Sequence, residues 1–537
     1  MSLPAATGPA QRPVEGEEPA AAGLRPARVV AAGLLLSKPT GYARDALLAA
    51  RFGTGRFMDA YALATTIATA LFDVMGAPLQ RVLVPVLVRA RSGTDEAALA
   101  RTSAAVLLAA SVAAAAAGLA LAVGAGPIAG VFSGGGGLQR EVATLLRWLS
   151  LLPLAMTLSA YGAAWLQARE RFTLPAFVGL PLDAAIISCV VFAGGRYGIV
   201  AAAWGLLLGT LAQFALEWFG LRRHGHRLEG RRPTELWRDP GLVATVRMSP
   251  PLWVSVGAAQ GALLLPQALA ARGAVGGVAA LTYAFRVLDV PAALLILPLT
   301  TVVLPRLAGL MARGAVADAR GLAKRTGWIL AAGLLPCALL LALLARPLAA
   351  ALFEHGAFGP SSAAAVGACL LGFAPGIVTS GMQQLWRTYC YARQDARTPM
   401  LWDLVALGVT AVIDLGLAPH WGVLGLACGW SAGAAAGWIG LALAARGPFA
   451  QGWRDYARAA VFGTAALVAA AVLVRLRITP WPQAVAWQLG AVRVALAGGA
   501  GAIAYLAAFA AGGGVPLLRE LVARARPLGD GAAAPRA

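Results

Sequence analysis

The stretch VVAAGLLLSKPTGYARDALLAARFG, residues 29–53, makes two demands at once. It is apolar and long enough to cross a bilayer, which takes about 20 residues of helix. It also holds Lys38, Arg44 and Asp45 near its middle. A charge at the centre of a membrane helix costs about 2.5–3.5 kcal/mol on insertion scales, so a span that keeps three has partners or a use for them. Pro39 and Gly41 predict a break after the first apolar turns. In a continuous helix Lys38 and Asp45, seven apart, would share a face, whereas Arg44 and Asp45 would point about 100° apart.

Working outward, apolar segments recur almost without pause. Spans are predicted at 28–50, 57–88, 103–132, 143–167, 173–194, 198–221, 248–271, 277–305, 327–353, 362–386, 399–418, 421–445, 457–476 and 488–513. Composition agrees, since 59% of the 537 residues are hydrophobic and only 13% charged. Ordinary soluble domains carry about 25% charge. A soluble enzyme and a disordered chain are both excluded. The predicted fold class is an all-α polytopic membrane protein of about fourteen transmembrane helices.

The chain has 44 Lys and Arg against 24 Asp and Glu, a formal charge of +20. Such an excess suits either nucleic-acid binding or cytoplasmic loops. Position decides between them. With the N-terminus inside, 30 of the 44 basic residues fall in the tails and the even-numbered loops, 10 on the outer side and 4 within spans. That asymmetry follows the positive-inside rule and places both termini in the cytoplasm. The most basic loop, 221–247, reads as a topology signal in contact with anionic lipid, and no nucleic-acid partner is expected.

The chain also repeats itself. Ala168-Arg169 with Pro175 matches Ala392-Arg393 with Pro399 at an offset of 224, as do Gly198, Ala203 and Gly205 with Gly422, Ala427 and Gly429. Pro85 and Pro305 are 220 apart, and Asp73 and Asp289 are 216 apart. An offset of six spans preserves orientation, so the halves are parallel repeats with a substrate path between them. The expected organisation is a disordered cytoplasmic tail over 1–26, which lacks the apolar core of a signal peptide, and an N-lobe over 27–222. The basic loop 223–247, a C-lobe over 248–446, two further spans over 447–515 and a cytoplasmic tail over 516–537 complete it.

Charges inside spans are the candidate site. The second span carries Asp59, Asp73 and Arg81, and the eighth carries Arg286 and Asp289, spaced to pair along one face. Lys38, Arg44, Arg81 and Arg286 would line a cationic cavity, with Asp45, Asp59, Asp73 and Asp289 tuning it or coupling an ion. Arg grips phosphate by a bidentate fork and Lys as a point charge, so an anionic headgroup fits such a cavity. Nothing points to catalysis or to a cofactor. The chain has no GxxxxGK[ST], no GxSxG and no HExxH. Its five scattered Cys and the His224/His226 pair lack metal-site or disulfide spacing.

The motifs resemble the MurJ (MviN) family of lipid II flippases, within the multidrug/oligosaccharidyl-lipid/polysaccharide exporter superfamily. Ser37-Lys38-Pro39-Thr40-Gly41-Tyr42-Ala43-Arg44-Asp45-Ala46 is similar to the family's S-R-x-x-G-x-x-R-D-x, followed by Phe52-Gly53 and Asp59-Ala60. Val84-Pro85-Val86-Leu87, Tyr283-Ala284-Phe285-Arg286 with Pro291, and Leu304-Pro305 resemble later family motifs. The most specific are LFEHGAF at 352–358 and YARQDARTP at 391–399. The resemblance implies a fourteen-helix inner-membrane flippase of two six-helix lobes with a cationic cavity. It would move undecaprenyl-pyrophosphate-linked peptidoglycan precursor outward, driven by membrane potential or an ion gradient. Arg44, Asp45, Asp59 and Arg286 would take the family's cavity charges. Lys38 stands where the family has Arg, and TTIATALFDVMGAPLQRVLVP (65–85) lacks its LPNLLRR-like block. A flippase for another polyprenyl-linked glycan or exopolysaccharide, and an ion-coupled cation or drug antiporter, are the alternatives.

Overall fold

The computed structural model describes residues 24–75, 96–169, 173–223, 250–445 and 487–511, with isolated positions between 171 and 246. Arg81, Val84-Pro85, the thirteenth predicted span, most of the basic loop and nearly all of both tails lie outside the described residues. Among the described residues every regular element is a helix. In the N-terminal half these are α1 (Leu24–Phe52), α2 (Arg56–Met75), α3 (Glu96–Val123), α4 (Ala125–Ser133), α5 (Gly136–Trp148), α6 (Leu152–Ala168), α7 (Thr173–Phe177), α8 (Gly179–Tyr197) and α9 (Val200–Arg223). The C-terminal half holds α10 (Pro250–Ala271), α11 (Gly277–Pro291), α12 (Leu297–Ala312), α13 (Val316–Leu343), α14 (Ala345–Phe353), α15 (Pro360–Ala392), α16 (Arg397–Trp421) and α17 (Val423–Ala444). Helix α18 (Trp487–Ala511) follows.

Eleven helical runs among the described residues are long and apolar enough to cross a membrane. Helix α1 is longer than most but carries its charges, and α18 contributes a shorter apolar stretch, Val494–Tyr505. The all-helical membrane architecture is therefore present, while the described residues do not establish a count of fourteen.

The expected break at Pro39 does not occur. Helix α1 runs unbroken through Pro39 and Gly41. Proline removes one backbone donor, and here the Thr40 hydroxyl lies 3.0 Å from the Ser37 carbonyl and 2.8 Å from Asp183 Oδ2, tying the turn to α8. Breaks come elsewhere. The third and ninth predicted spans each divide, at Gly124 and at Leu344, into a long helix and a nine-residue helix. These interruptions lie 220 residues apart, like Pro85 and Pro305.

The same repetition governs the ends of α8 and α16. Gly198 follows α8 with φ +57° and ψ −137°, and Gly422 follows α16 with φ +54° and ψ −131°. Side-chain-bearing residues rarely adopt such a conformation, which explains glycine at both positions. The next helices pack back through small residues. A Cβ on Gly205 would lie 2.6 Å from the Ile186 backbone, and one on Gly429 would strike the Asp414 carboxylate. Close approach through glycine is how membrane helices gain contact without a hydrophobic driving force.

The halves meet along α2 and at one end of the bundle. Helix α2 packs against α10 and α11, and α1 against α14. The Ala357 N–H donates to the Ala50 carbonyl at 2.8 Å, and the Thr54 and Ser362 hydroxyls are 2.6 Å apart. Gly53, Gly276 and Gly356, all at positive φ, take positions where a Cβ would collide with the opposite half's backbone. This end is therefore closed by backbone-to-backbone contact.

Candidate functional site: a charged cluster between the halves

Arg44 lies eight residues before the end of α1, roughly 12 Å below the closed end at 1.5 Å per residue. Its guanidinium forks between two carboxylates. Nε and Nη2 each lie 2.9 Å from Asp45 Oδ1, and Nη1 donates to Asp183 Oδ1 at 2.8 Å. Asp183 comes from α8 and its second oxygen accepts from Thr40. Asp45 Oδ2 faces Arg286 Nε of α11 at 3.7 Å, so this cluster joins the two halves. Arg286 thus turns to Asp45; the expected pairing with Asp289 on its own helix is not formed at ion-pair distance, although Asp289 feels the charges of Arg286 and Lys38.

Exposure sorts the cluster. The carboxylate side chains of Asp45 and Asp183 are 12% and 6% exposed, against 52% for Arg286. Lys38 is exposed as well. Asp45 and Asp183 stand behind and Arg286 and Lys38 in front, with Asp289 the one acid of this group that is also exposed. Arg44 itself is 14% exposed and serves as the keystone between two buried acids.

The remaining sequence candidates lie elsewhere. Asp59 begins α2 and accepts from the backbone N–H groups of Gly276 at 2.6 Å and Ala279 at 2.8 Å. Both its oxygens are spent on the positive end of α11, in the other half. Asp73, near the far end of α2, accepts from Gln260 of α10 at 2.9 Å. Arg81 is outside the described residues. An aromatic group of Tyr42, Tyr283, Phe353 and Phe358, with ring centroids 5.1–6.2 Å apart, fills the space toward the closed end. The Tyr42 hydroxyl donates to the Leu352 carbonyl at 2.7 Å.

Sequence reading missed two features. Asp183 lies in an apolar helix 139 residues from Arg44. A second buried ion pair, Arg387–Asp403 at 2.6 Å, lies wholly in the C-terminal half, where Gln383 and Ser255 also donate to Asp403. The membrane cost of Asp183 and Asp403 was the available signal.

The sequence model of the family described as "Lipid II flippase MurJ" matches residues 48–487. The chain belongs to the lipid II flippase MurJ family. A relative from Burkholderia cenocepacia, named lipid II flippase MurJ, is 29% identical over 398 residues, covering 71% of this chain and 75% of its own. A solved lipid II flippase MurJ in an inward closed conformation superposes with a TM-score of 0.75 at 18% identity, over 92% of this chain and 99% of that one. An inward-facing multidrug resistance MATE transporter of the MOP superfamily gives a TM-score of 0.60 at 13% identity, over 76% and 94%. The family and the apolar helices make this a multi-pass protein of the bacterial inner membrane.

Two of the family-like motifs now have physical meanings. In LFEHGAF, Gly356 at φ +57° and Ala357 form the seam with α1. In YARQDARTP, Gln394 takes φ +59° in the tight turn between α15 and α16, and Asp395 accepts from the N–H groups of Arg397 and Thr398 and from the Thr398 hydroxyl. Burial raises the Asp395 carboxyl, but the Thr398 and Arg397 donors outweigh it and hold it below the ordinary aspartate range.

Proposed function

We propose that the protein translocates lipid II, or a closely related polyprenyl-pyrophosphate glycan, from the cytoplasmic to the periplasmic leaflet for cell wall assembly. Membership of the MurJ family supports the transport class. The observation that carries the substrate chemistry is the exposed Arg286 and Lys38 backed by buried Asp45 and Asp183. A pyrophosphate can displace the weak 3.7 Å contact at Arg286 and take up the guanidinium without leaving a buried acid unpaired, because Arg44 holds both acids.

In this reading the lobes are residues 27–222 and 248–446, and both termini lie in the cytoplasm, as the basic loops indicate. The closed end then faces the periplasm. Asp59 latches it by capping α11, and release of that cap is the step that lets the lobes part there. Asp59 is thus a gate group, while Asp45 and Asp289 remain the carboxylates placed to sense a coupling ion.

The test is complementation of a conditional lipid II flippase mutant, with Arg286→Ala as control. Rescue by the native chain and failure of a normally expressed Arg286→Ala chain is the expected result. Failure of the native chain at normal expression overturns the lipid II assignment. Another polyprenyl-linked glycan is the second reading, favoured by the missing Arg pair in the second span, where Asp73 pairs with Gln260 instead.

A further inference from the structure

Away from the central cluster, a cavity of about 350 Å³ opens where the start of α13 meets the ends of α15 and α17, lined by Val316, Arg320, Arg393, Ala444 and Ala445. Three things distinguish it. Among the described residues its two ionisable lining groups are both arginines. Arg320 Nε is buried and has no hydrogen-bond partner among the described residues. The neighbouring carboxylate Asp395 is engaged by three donors at the start of α16 and, although its charge reaches Arg393, forms no ion pair with either arginine among the described residues. Arg393 is exposed, its guanidinium 6.0 Å from the centre of the Tyr389 ring.

We infer that this cavity binds the phosphate of an anionic phospholipid headgroup. Paired guanidinium groups, one with an unspent buried N–H, supply the donors a phosphate needs. The surroundings favour a lipid over a soluble phosphate. Leu443 and Val316, beside the cavity, are 69% and 41% exposed, which gives the acyl chains of a bound lipid an apolar wall. The cavity lies at the helix ends that the orientation proposed above places at the cytoplasmic leaflet, where anionic lipids concentrate. The inference does not depend on which glycolipid the central cluster carries.

The experiment uses the purified full-length protein in detergent, with thermal unfolding and native mass spectrometry as readouts. The probes are phosphatidylglycerol, phosphatidylcholine and inorganic phosphate. The variants are Arg320→Gln/Arg393→Gln and, as a matched loss of charge on the exposed face of α5, Arg140→Gln/Arg147→Gln. Phosphatidylglycerol is expected to stabilise the native chain and the α5 variant, and to bind the cavity variant about tenfold more weakly. Phosphatidylcholine is expected to do neither. Equal binding by the two double variants overturns the proposal. Stabilisation by inorganic phosphate without any by phosphatidylglycerol overturns the lipid assignment and leaves a soluble phosphate site. Should the cavity double variant fail to fold, the exposed Arg393→Gln single variant carries the same comparison.

Discussion

Two Arg–Asp clusters sit in this membrane protein, and they use the same chemistry for opposite ends. In the cluster between the halves, Arg44 bridges two buried acids, and the outer member, Arg286, is half exposed and held at 3.7 Å. In the cluster inside the C-terminal half, Asp403 is 2% exposed and accepts from Arg387, Gln383 and Ser255, drawn from α15 and α10. These donors converge on Asp403 of α16, and the carboxylate ties three helices together. A charged network in a membrane can thus stiffen a body or present charge to a ligand. The difference lies in whether a member is left loosely held and accessible.

The sharpest way to break that comparison is to remove the buried ion pair at the heart of each cluster. Arg387→Leu alone leaves Asp403 buried without its cation and is expected to destabilise by about 3–5 kcal/mol, with loss of expression. Arg387→Leu/Asp403→Leu should recover most of that stability, as read by thermal unfolding, and with it transport. Arg44→Leu/Asp183→Leu should likewise recover stability over Arg44→Leu, yet fail to complement a flippase mutant. Transport by that double variant would show that both clusters are structural.

Arg286→Ala separates function from stability in a single step. Its ion pair is half exposed, and such pairs are worth about 0–1 kcal/mol, so the unfolding temperature should barely move while complementation is lost. Arg286→Lys should retain part of the activity, keeping charge but losing the fork.

Asp59 tests the seam above the cluster. Two hydrogen bonds to a charged acceptor hold α11, and Asp59→Asn should weaken the closed end by about 1.5–3 kcal/mol. A Thr54→Cys/Ser362→Cys pair, built where the hydroxyls are 2.6 Å apart, reports it, and its crosslinking yield should fall in Asp59→Asn. Unchanged yield would show that the glycine contacts alone close this end.

What the sequence made legible follows from the range of each signal. Span positions came from apolar runs of about 20 residues, and the repeat from short matches at an offset of 224, to which Gly198 and Gly422 add a matched backbone conformation. Arg44 and Arg286 stood out because charge in an apolar segment is costly wherever its partner lies. Two of their pairings were invisible, since Arg44 meets Asp183 and Arg286 meets Asp45 only through tertiary packing, although Asp45 stands next to Arg44 in the sequence. Asp59 looked like a cavity charge because nothing local shows that a carboxylate caps a helix in the other half. The Pro39 break was over-read for a related reason: α8 supplies, through Asp183, a partner for the Thr40 turn that the local rule does not include.

The smallest effects fall in the turn between α15 and α16, which joins the helices of the closed cluster. Gln394 holds φ +59°, a conformation that costs a side-chain-bearing residue about 1–2 kcal/mol, part of which Gln394→Gly should return. Asp395→Asn should cost about 1 kcal/mol at neutral pH through the weakened start of α16. The pH dependence has a definite sign. Because the Asp395 carboxyl is held below the ordinary aspartate range in the folded protein, its contribution is complete above that range and is lost as pH falls through its lowered value. The native chain and Asp395→Asn should therefore differ in unfolding temperature at pH 7 and converge in acid. A difference that persisted there would mean that the cost comes from the amide side chain itself rather than from loss of the charge, and no difference at pH 7 would mean that the backbone rather than the carboxylate holds the turn. Neither change should alter the response of the central cluster to Arg286→Ala, since Asp395 and Arg286 share no contact among the described residues.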